Sequence, residues 1–541
     1  MKGVEMKILM AAAENDALPR GKVGGIGDVV RDIPLALAKI GQEVDVVMPG
    51  YGSFSKLAGA QHVTALEVMF GGQAQTVDIF KISLTPSSTT SSGSLSGSLS
   101  DTSAKKVTQW VIEHPLFAIG GIGEIYCDDP SNRPFASDAS KFALFSAAVA
   151  KAVISDVFGK IDVIHLHDWH TAMVSVLRAY DPQYQALKAI KTVYTIHNIA
   201  LQGIRPLDGD ESSLKAWFPD LAFDENHIKD PRYHNCYNPM RSGINLSDKV
   251  HAVSPTYAKE ILLPSNDQHG YYGGEGLEND LRYAAETGSL HGILNGCEYP
   301  DKVNVRLNLT DLITLCEQEV MKWLADKPLV DNAHLIAITR LRQLAAKKHK
   351  KPPLVLTSVG RITDQKVRLF QQIMANGETA LEQLLTHLSD QGVFILLGSG
   401  DNKLEAFLAQ VASKHSNFIF LKGYSEALSI SMYNSGDLFL MPSSFEPCGI
   451  SQMLAMRAGQ PCLAHSVGGL SDTITDNKNG FTFNGDNPLQ QAENMLSRFQ
   501  SVLAIKQKSS KSWTKISTNA FKSRYLWSDV AHDYLKNLYR N

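Results

Sequence analysis

Residues 442–474 have the sequence PSSFEPCGISQMLAMRAGQPCLAHSVGGLSDTI, which is the clearest indication of the fold class. It continues the apolar run DLFLMPSS (437–444). Its pattern predicts a strand, a loop, a helix closed by a glycine and a proline, and a second strand. The pair Gly468 and Gly469 then opens a short helix. This alternation predicts a parallel α/β sheet, in which ligands bind at the carboxyl ends of the strands.

The same alternation extends along the chain in two series. The predicted strands are KILMAAA (7–13), EVDVVMP (43–49), DVIHLHDWH (162–170), KTVYTIHN (191–198) and KVHAV (249–253), and then PLVLTSVGR (353–361), VFILLGSGD (393–401), NFIFLKGY (417–424) and DLFLMPSS (437–444). The 541 residues are 44% hydrophobic, which is ample for two large cores. We therefore predict two doubly wound α/β domains, residues 1–297 and residues 298–524, facing each other.

Composition excludes several classes of protein. The 52 basic and 55 acidic residues leave a net charge of −3, which argues against a nucleic-acid partner. No window of about 18 apolar residues is present, so no membrane span is expected. The six cysteines form no C-x-x-C pair, and the first residues do not resemble a signal peptide. These features predict a cytoplasmic enzyme with reduced thiols and leave its oligomeric state open.

One segment, residues 83–104, differs from the rest. Of the 21 residues from Ser83 to Ser103, ten are serine and four are threonine, with no hydrophobic period. Such a segment cannot bury enough apolar surface to order itself. We predict a flexible insertion in the first domain and assign no chemistry to it.

The glycine-rich turn GKVGGIGD (21–28) follows the first predicted strand and opens a helix. Backbone N–H groups at such a turn can approach an anion closely. The turn lacks the last glycine of a dinucleotide fingerprint, and the Lys22-Val23 pair fails the pattern of a P-loop. Two interpretations stay open: Lys22 reaches a phosphate or a sugar hydroxyl, or the glycines form a plain turn with a solvated lysine.

The run HLHDWH (165–170) contains potential zinc ligands. Its acid falls one residue earlier than in the H-x-H-x-D-H pattern of binuclear zinc hydrolases. We favour His165 packed in the sheet and Asp168 at the carboxyl end of the strand, where ligands bind. The acidic pattern DGD (208–210) is interpreted as a solvated turn and not as a cation site. The sequence thus predicts no metal and no cofactor.

The second series carries the sharpest signals. Arg361 stands at the end of a predicted strand, and Lys366 follows about one turn later. Paired cations of this kind suit a diphosphate when no metal is present. Glu446 is expected at the mouth of the sheet beside the N–H groups of 449–451. There it could bind sugar hydroxyls or stabilise an oxocarbenium-like charge. Alternatively, it could serve only to stabilise the N-terminus of the following helix through the helix dipole.

With these residues in hand, the chain resembles the bacterial glycogen synthases and plant starch synthases of glycosyltransferase family 5. The matching segments cover most of the chain in order: KVGGIGDVV (22–30), HLHDWHTA (165–172), YTIHNIALQG (194–203), DKVHAVSPTYAKEI (248–261), GILNG (292–296), GRITDQK (360–366), LGSGD (397–401), FEPCGISQ (445–452) and VGGLSDT (467–473). The resemblance implies the GT-B architecture, with two Rossmann-like domains across a cleft. It also implies that residues 525–541 form a last helix crossing back onto the first domain.

The resemblance implies a retaining, metal-independent transfer of glucose from ADP-glucose to the non-reducing end of an α-1,4-glucan. By this likeness Arg361 and Lys366 hold the diphosphate, Glu446 binds the glucose hydroxyls, and Asp168 and His197 line the transfer site. His197 is expected to contact the donor sugar through a hydroxyl or through its own backbone. The likeness also implies these donor-binding residues: Lys22, Gly24, Gly25, Asp28, Asn295, Gly398, Tyr424, Cys448, Gly449, Ser451, Gly468, Gly469 and Asp472.

Four alternatives stay open at this point. A related retaining transferase could use UDP-glucose or another acceptor, such as a sugar phosphate or fructose. A nicotinamide-dependent oxidoreductase is favoured only by the partial glycine fingerprint, and the strand EVDVVMP (43–49) lacks a clear acid for a ribose. A glucan-binding protein without turnover and a glucan phosphorylase with pyridoxal phosphate complete the set.

Overall fold

The computed structural model describes residues 5–83, 107–299, 305–326, 329–347 and 354–540. All but one residue of the serine-rich segment 83–104 lies outside these ranges. Within them the chain forms two doubly wound α/β domains, as the sequence predicts, because most of the buried parallel strands are followed by a helix that packs on the sheet.

The first domain is built on a nine-stranded sheet. In chain order its strands are β1 (Lys7–Ala11), β2 (Glu43–Pro49), β3 (Ala60–Phe70), β4 (Gln73–Ile82), β5 (Val107–Glu113), β6 (Val163–His167), β7 (Lys191–Ile196), β10 (Lys249–Ala252) and β11 (Leu290–Gly292). The spatial order is β11-β10-β7-β6-β1-β2-β5-β4-β3, parallel except where β4 pairs with β3 and β5. A separate two-stranded sheet pairs β8 (Arg205–Pro206) with β9 (Cys236–Tyr237).

The helices of the first domain cover both faces of this sheet. They are α1 (Gly25–Lys39), α2 (Ala136–Ile154), α3 (Met173–Tyr180), α4 (Leu214–Trp217), α5 (Glu225–Ile228), α6 (Pro239–Leu246), α7 (Pro255–Glu260) and α8 (Glu278–Glu286). The sequence predicts that α1 continues to Gly41, but the helix ends at Lys39 because Gly41 has a left-handed backbone (φ +95°). As expected, Ser254 caps α7 by accepting the N–H of Tyr257 at 3.2 Å.

The second domain is built on a six-stranded parallel sheet in the order β14-β13-β12-β15-β16-β17. Its strands are β12 (Leu354–Val359), β13 (Gly392–Gly398), β14 (Phe418–Lys422), β15 (Leu438–Met441), β16 (Cys462–His465) and β17 (Phe481–Phe483). Its helices are α9 (Leu309–Ala325), α10 (Asn332–Ala346), α11 (Asp364–Val367), α12 (Ala380–Leu388), α13 (Asn402–Lys414), α14 (Glu426–Ser435), α15 (Ser451–Arg457), α16 (Gly468–Thr473), α17 (Pro488–Lys508) and α18 (Ser510–Lys522).

The chain then returns to the first domain. Helix α19 (Trp527–Tyr534) and the π-helical turn Leu535–Tyr539 share a buried apolar cluster with α1 and with strands of the first sheet. The indole Nε1 of Trp527 donates a hydrogen bond to Oδ2 of Asp32 at 3.1 Å. The last helix is thus part of the core of the first domain. Among the described helices, none combines the length and the apolar character needed to cross a bilayer.

Candidate functional site

The order of strands changes direction at one point in each sheet. In the first sheet this point lies between β1 and β6, and in the second between β12 and β15. Ligands of open α/β sheets bind outside the carboxyl ends of the strands at such points. The segments that follow these four strands carry Glu14, Asp168, Arg361 and Glu446. Sheet topology therefore brings most of the predicted site residues to the two edges where a ligand is expected.

Glu14 folds the glycine-rich turn over the end of β1. Its Oε2 accepts the N–H groups of Val23 at 2.8 Å and Gly24 at 2.5 Å, and its Oε1 accepts the hydroxyl of Tyr126 at 2.6 Å. Gly25 is the first residue of α1, and a Cβ added there would meet nothing within 4 Å. The turn therefore has a fixed backbone and open space beside Gly25.

Lys22 stands between two carboxylates of the same domain. Its Nζ donates to Oδ1 of Asp28 at 2.5 Å and lies 3.9 Å from Oδ2 of Asp16. Burial disfavours the charged ammonium, but Asp28 and Asp16 more than offset this effect and raise the pKa of Lys22. Lys22 is also close enough to Tyr424 of the second domain for an electrostatic interaction. This interaction places Lys22 at the cleft between the domains, opposite the exposed Tyr424.

Lys366 and Glu446 form an ion pair at the edge of the second sheet. The Nζ of Lys366 donates to Oε2 of Glu446, and the hydroxyl of Ser443 donates to the same oxygen at 3.0 Å. Glu446 is only 8% exposed. The sequence predicts this carboxylate beside the N–H groups of 449–451, but its partners in the described structure are Lys366 and Ser443. The long side chain of Lys366 reaches the carboxylate because α11 begins beside the end of β15.

Arg361 lies at the carboxyl end of β12 and, unlike Lys366, has no acidic partner among the residues that the structure describes. Its side chain is exposed, and it forms no ion pair within the described parts of the chain. An exposed guanidinium presents a planar set of donors that matches a phosphate oxygen pair. Arg361 is therefore available to a ligand.

The two glycines of the last motif allow the Glu446 loop to pack closely. A Cβ at Gly468, where φ is +43°, would lie 1.9 Å from the carbonyl oxygen of Glu446. A Cβ at Gly469 would lie 2.1 Å from the carbonyl oxygen of Cys448, and the N–H of Gly469 donates to the Glu446 carbonyl at 3.0 Å. Gly449 is also left-handed, with φ +74°. These glycines hold the backbone around Glu446 in place.

Three further predicted residues have structural partners near the cleft. Asn295 is buried in the first domain and lies near the thiol of Cys448 in the second, close enough to act on the pKa of that thiol. Burial raises the pKa of Cys448 to about 12, so this thiol stays protonated. Gly398 ends β13, and a Cβ there would lie 2.0 Å from the carbonyl oxygen of Gly360. The ends of β12 and β13 thus need a glycine at this position.

Two of the predicted donor contacts are engaged elsewhere. Both carboxylate oxygens of Asp472 accept hydrogen bonds from Thr256 of the first domain, from the N–H at 2.9 Å and from the hydroxyl at 2.7 Å. The hydroxyls of Ser451 and Tyr433 lie 3.1 Å apart in a hydrogen bond inside the second domain. The structure therefore places Asp472 in a contact between domains and does not bring it to Glu446 through a side-chain bond.

The same contact between domains includes a half-buried acid. Glu260, the last residue of α7, accepts the N–H of Gly468 at 2.9 Å. Burial raises the pKa of Glu260 to about 7, because the charged carboxylate is poorly solvated there. The hydroxyl of Ser254 donates to the carbonyl oxygen of Pro447 at 2.6 Å. Helix α7 of the first domain is thus bonded directly to the motif that carries Glu446.

Asp168 and His197 meet at the edge of the first sheet. Asp168 follows β6 with φ +53°, a conformation that is uncommon for a residue with a side chain. Its Oδ1 accepts the N–H of His197 at 2.7 Å. Burial raises the pKa of Asp168 to about 8, although the N–H groups of His197 and Asn198 act in the opposite direction. The strained backbone aims the Asp168 carboxyl at the turn that carries His197.

His165 and the DGD pattern (208–210), two other polar features considered in the sequence, have protein partners. His165 is buried, and its ring nitrogens bond to the hydroxyls of Tyr539 at 2.7 Å and Thr195 at 2.6 Å. Asp210 of the DGD pattern pairs with Arg133 at 2.9 Å. Among the described residues, no group of three or more His, Cys, Asp or Glu side chains is arranged to hold a metal ion.

The site residues predicted from the sequence do not include Glu14, His167 or Glu260. Glu14 could have been found, because it follows a predicted strand directly, which is the same signal that singled out Asp168. Glu260 carries no such signal, and His167 stands out in the sequence only as a member of the HLHDWH run weighed for zinc. Their partners, Gly468 and His197, are 208 and 30 residues away along the chain, and only the packed structure brings them together.

Comparison with known proteins identifies the family. Residues 7–283 match the model of the starch synthase catalytic domain, and residues 340–516 match that of glycosyl transferases group 1. The glycogen synthase of Streptococcus equi subsp. equi (strain 4047) is 31% identical, covering 99% of this chain and 100% of that protein. The glycogen synthase of Gloeobacter violaceus is 30% identical, covering 99% of each chain.

Solved structures agree with these sequence matches. The catalytic domain of starch synthase IV from Arabidopsis thaliana, bound to ADP and acarbose, superposes with a TM-score of 0.72 at 25% identity and covers 98% of each chain. The sucrose-phosphate synthase of Thermosynechococcus elongatus, at 14% identity and a TM-score of 0.50, shares the fold alone. The predicted two-domain architecture, transferase class and family are confirmed: the chain belongs to the glycogen synthase and starch synthase family of glycosyltransferases.

Proposed function

We propose that this protein transfers glucose from ADP-glucose to the non-reducing end of an α-1,4-glucan with retention of configuration. The observation that carries the proposal is the set of cations at the cleft. Arg361 is exposed and unpaired within the described residues, Lys366 lies beside Glu446, and Lys22 of the first domain lies near Tyr424 of the second. Such cations can neutralise a diphosphate without a metal ion. The ADP and acarbose bound to the Arabidopsis relative support the same class of ligands.

The donor side of the proposal follows from charge. Arg361 and Lys366 bind the diphosphate and stabilise the negative charge that grows on ADP as the bond from the glucose C1 to the phosphate oxygen breaks. Glu446 binds glucose hydroxyls, and its carboxylate favours the positive charge that develops at C1. Lys22 approaches the donor from the first domain, and Gly24 and Gly25 allow the backbone to come close. Closure of the cleft excludes water that would hydrolyse the donor.

The other donor-side residues are proposed to shape the pocket around these charges. Asn295 and Cys448 join the two domains beside the Glu446 loop, and Tyr424 borders the nucleotide near Lys22. The remaining members of this set are Asp28, Gly398, Gly449, Ser451, Gly468, Gly469 and Asp472. Of these, Asp472 and Ser451 would have to exchange their present hydrogen bonds for bonds to the donor.

Retention is proposed to occur on one face of the sugar. The C1–O bond to the phosphate breaks, the acceptor hydroxyl oxygen bonds to C1 from the same side, and its proton passes to the departing phosphate oxygen. Asp168 and His197 line this reaction site from the first domain. The carboxyl of Asp168 is bonded to the backbone of His197, which favours a positioning or electrostatic role over attack on C1.

The proposal is tested by nucleoside diphosphate release. The purified protein is given glycogen with ADP-glucose and, in parallel, with UDP-glucose. We expect glycogen-dependent release of ADP and little release of UDP. Release of UDP alone would support the transfer reaction but contradict ADP-glucose as the donor. If neither nucleotide is released, either the proposed acceptor or the proposed activity is wrong. Analysis of the product by digestion with an enzyme specific for α-1,4 bonds checks the anomeric configuration.

A further inference from the structure

We propose that His167 is a positioning residue that sets the tautomer of His197, so that His197 offers its Nδ1–H to the substrate. The proposal rests on the proposed place of His197 in the transfer site. The family resemblance does not specify which ring nitrogen of His197 carries the proton. His167 itself is fully buried and does not reach the cleft.

The two rings are held in a fixed geometry. His167 ends β6 and His197 follows β7, its neighbour in the sheet. The Nδ1 of His167 lies 2.9 Å from the Nε2 of His197, and the rings are stacked with centroids 5.2 Å apart. The hydroxyl of Thr171 accepts the backbone N–H of His167 at 2.8 Å, and the rings of His165 and His167 are stacked with centroids 4.5 Å apart. The contact is therefore not free to rearrange.

Both rings are neutral at pH 7. Burial lowers the pKa of His167 and of His197 well below the ordinary value, and the neighbouring histidines act in the same direction. No carboxylate among the described residues bonds to a ring nitrogen of either one. A hydrogen bond between two neutral imidazoles needs one N–H and one lone pair, so only two arrangements exist.

The second nitrogen of His167 distinguishes these arrangements. The Nε2 of His167 is buried and has no hydrogen-bond partner among the described residues. If His197 donated through its Nε2, His167 would carry its proton on this Nε2, as a buried N–H without an acceptor. A buried donor without an acceptor is rarer than an unused acceptor. His167 therefore donates from Nδ1, and its bare Nε2 is left unused.

It follows that His197 accepts at Nε2 and carries its proton on Nδ1. Its backbone N–H is already donated to Asp168 at 2.7 Å. Of the ways in which His197 could contact a sugar, the backbone N–H is excluded, and the ring presents a donor only at Nδ1. Consecutive residues, His167 and Asp168, thus fix the ring and the backbone of His197, and the site offers one N–H to a hydroxyl oxygen.

The first experiment reads the proton directly. A neutron crystal structure of the deuterated wild-type enzyme at pH 7 is expected to show deuterium on Nδ1 of His197 and on Nδ1 of His167. Deuterium on Nε2 of His197 would overturn the proposal. This measurement does not depend on turnover, so it stands even if the enzyme proves to use another donor or acceptor.

The second experiment uses matched variants. His167→Phe keeps a ring in the stack but removes the hydrogen bond, and we expect kcat to fall by about tenfold or more with KM for ADP-glucose within about threefold. His167→Asn, whose amide can donate from nearly the same position, is expected to recover most of kcat. His170→Phe, another buried histidine-to-phenylalanine change in the same segment, controls for stability. A His167→Phe enzyme that folds normally and keeps wild-type kcat contradicts the proposal.

Discussion

Lys366 and Glu446, 80 residues apart in sequence, form an ion pair at the point where the second sheet reverses its strand order. Each partner neutralises the other in a place with little exposure to water, so the loss of one leaves a charge that is poorly solvated. The pair also links the two proposed tasks of this edge, since one residue is assigned to the diphosphate and the other to the glucose.

Replacing Glu446 by Ala should lower kcat by about 10²- to 10³-fold, because a charge that stabilises the transition state is removed. Nucleotide affinity should fall only modestly. Steady-state kinetics and ADP binding by calorimetry measure the two effects separately. In a cycle with Lys366→Ala, the double variant should lose less than the sum of the single variants. A near-normal kcat for Glu446→Ala would remove this residue from the proposed mechanism.

Arg361 should act on nucleotide affinity and not on stability. Because its guanidinium is exposed and unpaired among the described residues, Arg361→Ala should leave the unfolding midpoint unchanged. We expect KM for the nucleotide sugar to rise by about 10- to 100-fold. Arg361→Lys should recover only part of this loss, since a lysine lacks the planar pair of donors. Arg342→Ala, which removes an exposed ion pair with Glu317 on the outer helices, is the control and should leave KM unaltered.

Asp168 should impose a pH dependence on the reaction. Burial raises its pKa to about 8, so the carboxyl is largely neutral at pH 7 and becomes charged as the pH rises through 8. If the carboxylate stabilises the transition state, kcat/KM should increase up to about pH 8 and then level off. Asp168→Asn keeps an oxygen for the N–H of His197 and should abolish this rise. A rise of the same shape in the variant would show that another group titrates.

Two glycine variants should separate packing from ligand approach. Gly468→Ala places a Cβ 1.9 Å from the carbonyl oxygen of Glu446 at a left-handed position, so we expect the Glu446 loop to move and kcat to fall by about 100-fold. Gly25→Ala meets no atom within 4 Å and should fold as the wild type. Its KM for the donor should nevertheless rise if the donor approaches this backbone. Wild-type KM for Gly25→Ala would contradict the close approach, and wild-type kcat for Gly468→Ala would contradict the loop's role.

The packing of α19 on the first domain should contribute measurably to the unfolding free energy of that domain. Trp527→Phe keeps most of the apolar contact but removes the hydrogen bond to the buried Asp32. We expect a loss of about 1–2 kcal/mol in the unfolding free energy of the first domain. Urea unfolding followed by circular dichroism gives this value. Trp513→Phe, whose ring packs on Phe481 in the second domain, shows what the change of ring alone does. Equal effects of the two variants would argue against a contribution from the hydrogen bond.

Local pattern was enough to predict much of the fold. The strand EVDVVMP (43–49) has the bounds observed for β2, and the strands before Asp168, Arg361 and Glu446 lie within their predicted ranges. These predictions succeed because a buried strand needs a run of apolar residues, and a parallel sheet brings the residues after each strand to one edge.

The partners within the site could not be predicted in the same way. The sequence alone determined which side chains stand at the ends of the strands and, through its ordered motifs, the family. Only the tertiary structure decided that Glu446 pairs with Lys366, that Asp472 bonds to Thr256, and that His167 bonds to His197. These contacts depend on strand order, on the meeting of two domains and on the burial that sets each pKa. Such properties arise from packing between distant segments and leave no periodic signal in the chain.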